Sequence, residues 1–146
     1  MDLQAIQTLI EADDFTTSFE PATPDIPLDR LFVLLNEEKQ LLTELLFIPL
    51  EAEVENVHLL QFYVNVPIEL GSSIPTDLQQ LILNLNAKMP IGSFGINGED
   101  NLVYFRYVLV MPQNQTPEDN NTIVQSLWLV FYLVESFLQQ IQAVAA

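Results

Sequence analysis

Residues 116–143 read TPEDNNTIVQSLWLVFYLVESFLQQIQA, and this stretch decides how the rest of the chain must fold. Thr116 is a suitable helix cap, Pro117 suits the first helical position, and Glu118 and Asp119 favour the positive end of the helix dipole. Ile123, Leu127, Val130, Val134, Phe137 and Ile141 then recur at helical spacing, with Phe131 and Leu138 widening the stripe. Leu129, Tyr132 and Leu133 point away from that stripe, with Trp128 at its margin, so the middle turns are apolar nearly all round. A helix of this kind is buried from more than one side. The chain before it must supply those surfaces.

Immediately upstream, Ser93–Asn97 and Asn101–Met111 read as two strands joined by a turn at Gly98-Glu99-Asp100, with Asn97-Gly98 as a hairpin signal. Pro112 stops the second of them. Before this hairpin, Pro75 to Met89 carries a helical stripe of Leu78, Leu81, Ile82 and Leu85, ended by Pro90. Three further strands precede that helix: Arg30–Leu35, Gln40–Ile48 and Val57–Val66. In the last, Leu59, Gln61, Tyr63 and Asn65 share one face, and His58, Leu60, Phe62, Val64 and Val66 share the other. At the front, Leu3, Ile6, Leu9 and Ile10 form a short helical stripe behind Asp2, closed by Asp13 and Asp14. Residues 15–29 lose periodicity and carry Pro21, Pro24 and Pro27, so they read as a Pro-rich loop or extended arm.

The expected order is therefore helix, three strands, helix, two strands, helix. Short turns within the strand groups argue for antiparallel pairing, and apolar strands need a covering layer of helices. The expected fold class is α+β: a mainly antiparallel five-stranded sheet packed with helices near 3–12, 75–88 and 117–142. A chain of 146 residues suits a single domain over 1–146, burying roughly 70% of its unfolded surface.

Composition narrows the function classes. Four basic residues, Arg30, Lys39, Lys88 and Arg106, stand against twenty acidic ones, for a formal net charge of −16. Binding a phosphate backbone requires clustered Lys and Arg, and an acidic field repels anionic lipid. Nucleic acid and membrane are thus poor partners. With no cysteine, the chain has no disulfide, thiolate nucleophile or thiolate metal site. The opening MDLQAIQTLIEADD lacks the basic region of a secretory signal, and the longest apolar run, Leu127–Val134, falls below the ~20 residues of a spanning helix. The expectation is a soluble cytoplasmic protein.

The stretches RLFVLLNEEKQLLTELL, NAKMPIGSFGING and NLVYFRYVLV, with the apolar helix after them, resemble the YbjN-type branch of the type III secretion chaperone-like fold. The resemblance covers most of residues 28–142 and excludes the Pro-rich loop at 15–29. It implies a small acidic domain, usually dimeric, that binds other proteins and is not an enzyme.

Reactive constellations are sparse. His58 is the single histidine and reads as a strand residue near Glu55. Glu51, Glu53 and Glu55 share one parity, yet no calcium-loop glycine accompanies them, so a solvated acidic loop accounts for them. Gly92, Gly95 and Gly98 follow a helix and enter a hairpin, the wrong context for a phosphate loop. Pro21-Ala22-Thr23-Pro24 matches PxxP and reads as a plain loop, with a docking arm as the sharper alternative. Arg106 sits in an apolar strand, either paired with a carboxylate or facing solvent. No cofactor or metal is expected. The sequence reading is a non-enzymatic, homodimeric protein-interaction domain with a possible protein client, whose interface is expected at Trp128, Leu129, Tyr132 and Leu133. The alternatives are a structural subunit of a larger complex, or a small-molecule-binding or hydrolytic protein using carboxylates.

Overall fold

The computed structural model describes residues 2–50, 56–114 and 121–145. Its elements run α1 (Leu3–Glu11), β1 (Thr17–Glu20), β2 (Arg30–Asn36), β3 (Leu41–Phe47), β4 (Val57–Asn65), α2 (Thr76–Asn86), β5 (Ser93–Asn97), β6 (Leu102–Pro112) and α3 (Thr122–Ala145). The fold is α+β, as expected. The strands form one antiparallel sheet in the order β1-β2-β3-β4-β6-β5.

The sheet has six strands where the sequence suggests five. Residues 15–29 are not wholly a loop: Thr17–Glu20 pairs antiparallel with Arg30–Val33 as an edge strand. A four-residue strand with one inward apolar side chain, Phe19, carries too little periodicity to be recognised alone. Long-range pairing to β2 makes it a strand. It is anchored to α1 through Thr17, whose hydroxyl donates to Glu11 (2.5 Å) and accepts from Gln7 (3.0 Å).

Local chemistry explains most boundaries. Asp2 caps α1, its carboxylate accepting from the Ala5 N–H at 2.8 Å. The α2 cap is Pro75, without a side-chain bond. The β2–β3 turn is closed by Asn36, which accepts from the Lys39 N–H (3.0 Å), with Gln40 in the left-handed region. In the β5–β6 hairpin it is Asn101, not Gly98, that adopts positive φ (52°). The loop is longer than a two-residue turn, and asparagine tolerates that conformation. Gly92 has a physical requirement: its φ is +66°, and a Cβ there would lie 2.6 Å from the Phe105 ring. The suggested Thr116 cap, and Glu51, Glu53 and Glu55, lie outside the described residues.

One core joins all three helices to one face of the sheet. Leu3, Ile6 and Ile10 of α1, and Leu78, Ile82 and Leu85 of α2, meet alternate strand residues such as Leu31, Val33, Leu45, Leu60, Phe62 and Phe105. From α3, Ile123, Ser126, Leu127, Val130, Leu133, Val134, Leu138 and Ile141 complete it. This helix is long and apolar enough by composition to cross a membrane, but in this fold those eight positions are core. Lys39 in the β2–β3 turn forms an ion pair with Glu135, tying that hairpin to α3.

The β5 edge is closed by a side chain. Asn86, the last residue of α2, accepts from the Phe94 N–H and donates to the Phe94 carbonyl, both at 2.8 Å. The amide supplies what a neighbouring strand would supply, leaving less of the edge free to pair with another chain.

Candidate interaction surface

The expected helix interface separates into two parts. Trp128, Leu129 and Tyr132 are 48%, 37% and 65% exposed on one side of α3. Leu133 is a correction: it is 4% exposed and belongs to the core. It lies three residues after Val130 and seven after Ser126, both buried, so the core stripe is wider than the Ile123–Ile141 series suggests. Trp128 is also partly covered from within. Its indole N–H donates to the Asp13 carboxylate at 2.7 Å, and its ring lies 4.8 Å from that of Phe15. The link between α1 and β1 thus covers part of the patch that the sequence reading assigns to a partner. The exposed remainder of the predicted patch is Leu129 and Tyr132, with the outer edge of Trp128.

A larger surface lies on the opposite side of the molecule, where no helix among the described residues covers the sheet. Strand residues alternate between faces. The parity facing away from the core carries Phe32 and Leu34 on β2, Leu42 and Leu46 on β3, Leu59 and Tyr63 on β4, and Tyr104, Val108 and Val110 on β6. None of these side chains belongs to the core or packs against it. Leu42 and Val110 are 46% and 62% exposed; the others are half-buried by one another. Tyr63 and Tyr104 stack with ring centroids 5.2 Å apart. A shallow hollow between Tyr63 and β2 is lined by Phe32, Gln40, Leu42, Glu44, Tyr63 and Asn65.

The charges on this face are few and balanced. Arg30 and Arg106, two of the four basic residues in the chain, lie on it with Glu20 and Glu44. Arg30 sits 3.8 Å from Glu44 and lies over the Phe32 ring. Arg106 is exposed and donates through Nε to Gln61 Oε1 at 2.6 Å; it forms no ion pair among the described residues. Among the described residues, the strand positions of this face thus carry two cations and two anions on a chain of net charge −16. Burial among these rings, then the neighbouring Tyr104, Glu44 and Asp100, raises the Tyr63 phenol above its ordinary value and keeps it neutral.

The remaining sequence candidates find structural roles. His58 stands at the start of β4 with its ring 5.3 Å from Phe47, and burial lowers its pKa. Gly95 faces Tyr104: a Cβ there would lie 2.4 Å from that ring, so the glycine makes room for the aromatic on the open face. Pro21–Pro24 lies in the β1–β2 connection, held by the Asp29 carboxylate accepting from the Ala22 N–H (2.8 Å) and the Thr23 N–H donating to the Ile26 carbonyl (2.8 Å). Among the described residues no group of three His, Asp or Glu side chains is placed to hold a metal. The open face is in part visible in the sequence, since Leu59, Gln61, Tyr63 and Asn65 share one side, but its extent needs the strand order. No family model matches this chain, and no curated protein matches it.

Proposed function

We propose that the chain is a non-enzymatic protein-interaction domain, cytoplasmic and homodimeric, with the chaperone-like layout its sequence resembles, and that its working surface is the open face of the sheet. The observation that carries this reading is the uncovered apolar parity of β2, β3, β4 and β6. An antiparallel sheet with one solvated face ordinarily presents polar side chains there. An apolar area rimmed by a few matched charges is instead the composition of a protein interface, where aromatic residues and Arg are enriched. The Leu129–Tyr132 patch on α3 is smaller and has less claim to the same role.

The test combines light scattering over a wide concentration range with a photocrosslinking amino acid placed at Val110 in native lysate. A concentration-dependent dimer, with crosslinks from Val110 to a second copy, is the expected result. A strictly monomeric protein whose Val110 position captures no protein overturns the reading.

A further inference from the structure

We infer that two copies of this chain pack their open sheet faces together about a two-fold axis running along β4, so that Arg106 of each copy meets Glu44 of the other. This deepens the homodimer reading above and rests on it.

The argument starts from register. Glu44 of β3 lies beside Tyr63 of β4, which lies beside Arg106 of β6. One row along, Leu46, Gln61 and Val108 repeat the same arrangement. Both rows are centred on β4. Rotating a second copy by half a turn about an axis along β4 places its β3 over β6 of the first, and its β6 over β3. Glu44 then faces Arg106, and Leu46 faces Val108. Tyr63 and Gln61 sit on the axis, each facing its own copy. Cations meet anions and apolar groups meet apolar groups, because a two-fold contact uses one surface twice.

Axes across the strands fail on charge. An axis lying in the sheet plane across the strands, through the Tyr63 row, would set Glu44 on Glu44 and Arg106 on Arg106. Moving that axis between rows would set both charges against Leu46 and Val108. The axis along β4 gives an opposite charge to Arg106, which within one copy has the neutral Gln61 amide. Aligned sheets pack about 10 Å apart, a separation that an arginine and a glutamate side chain span together. A face whose strand charges balance is also where two chains of formal charge −16 can approach with least repulsion.

A charge exchange tests this. Arg106→Glu and Glu44→Arg each set like charges opposite one another at two places per dimer. At about tenfold per contact, each variant alone weakens dimerisation by about a hundredfold. An equimolar mixture of the two restores it, because every cross-contact in the heterodimer is again between opposite charges. Circular dichroism and melting check that each variant folds. If Glu44→Arg does not fold beside Arg30, the pair Arg106→Gln and Glu44→Gln replaces it. The double change then costs no more than either single one, since both remove the same contact. A wild-type dimer whose single variants dimerise normally, or whose mixture is not restored, overturns the axis and leaves the homodimer standing. A monomeric wild type overturns the inference; the Val110 crosslinker then decides separately whether the face binds another protein.

Discussion

The two faces of the sheet use the same residue types for different ends. On the covered face, Leu31, Val33, Leu45, Leu60, Phe62 and Phe105 are fully buried under the helices. On the open face, Phe32, Leu34, Leu46, Leu59 and Val108 occupy the alternate positions of those same strands, without a layer above them. A strand serving one core alternates apolar with polar residues, whereas RLFVLL and QLLTELLFI are apolar at both parities. The covered face explains the stability of the fold. The open face is apolar beyond what folding one copy requires, and that excess is the physical argument for a second layer supplied from outside the chain.

The sharpest way to break this contrast is a matched pair of truncations. Phe62→Ala opens a cavity beneath the helices and should cost about 3–5 kcal/mol of unfolding free energy. Val110→Ala on the open face should cost less than about 1 kcal/mol in the monomer while weakening association. Urea unfolding at low protein concentration measures both. Comparable losses at the two positions would mean that the faces are energetically alike and that the open one is not free. A smaller effect is expected at Asn86→Ala, which leaves the Phe94 N–H and carbonyl without their side-chain partner. The expected loss is about 1–3 kcal/mol, together with faster hydrogen exchange at the Phe94 amide. Unchanged exchange there would show that the edge of β5 is protected by something other than this amide.

How much of this was legible in the sequence follows from the range of each interaction. The three helices and five of the strands announce themselves through local periodicity, caps and prolines, and the structure places them within three residues of the expected spans, except that α3 begins at Thr122 where 117 is expected. Strand β1 does not, because Thr17–Glu20 becomes a strand only by pairing with β2. Leu133, buried where the sequence suggests an interface, differs for a related reason. A helix apolar nearly all round has no phase of its own, and its orientation is fixed by what packs on it. Trp128 shows the same limit: its partner Asp13 lies 115 residues away in sequence. The open face lay half-hidden, since the parity of β4 was readable but the order β3-β4-β6 was not. Only that order sets Glu44, Tyr63 and Arg106 in one row.

The gentlest probe of the covered face is pH. His58 is half-buried at the core-side end of β4, and burial lowers its pKa below the ordinary value of 6.5. A folded pKa below the unfolded one means that the unfolded chain binds more protons in the window between them. Stability contributed by neutral His58 is therefore complete above about pH 7 and declines as pH falls through 6.5 toward the folded value. The decline is small because the ring is only partly removed from water. It also competes with an opposite trend. Twenty carboxylates repel one another at neutral pH, and their protonation below about pH 5, or added salt at pH 7, relieves that repulsion. Wild-type protein should thus show a shallow loss of stability between about pH 7.5 and pH 5.5, and a rise in melting temperature with salt at pH 7. His58→Gln, which cannot take up a proton, should flatten the pH response and leave the salt response intact. Melting curves for both proteins across that window decide it: an identical slope in the two would acquit His58, and a fall in stability on adding salt would show that attractive pairs such as Arg30–Glu44 and Lys39–Glu135 outweigh the repulsion.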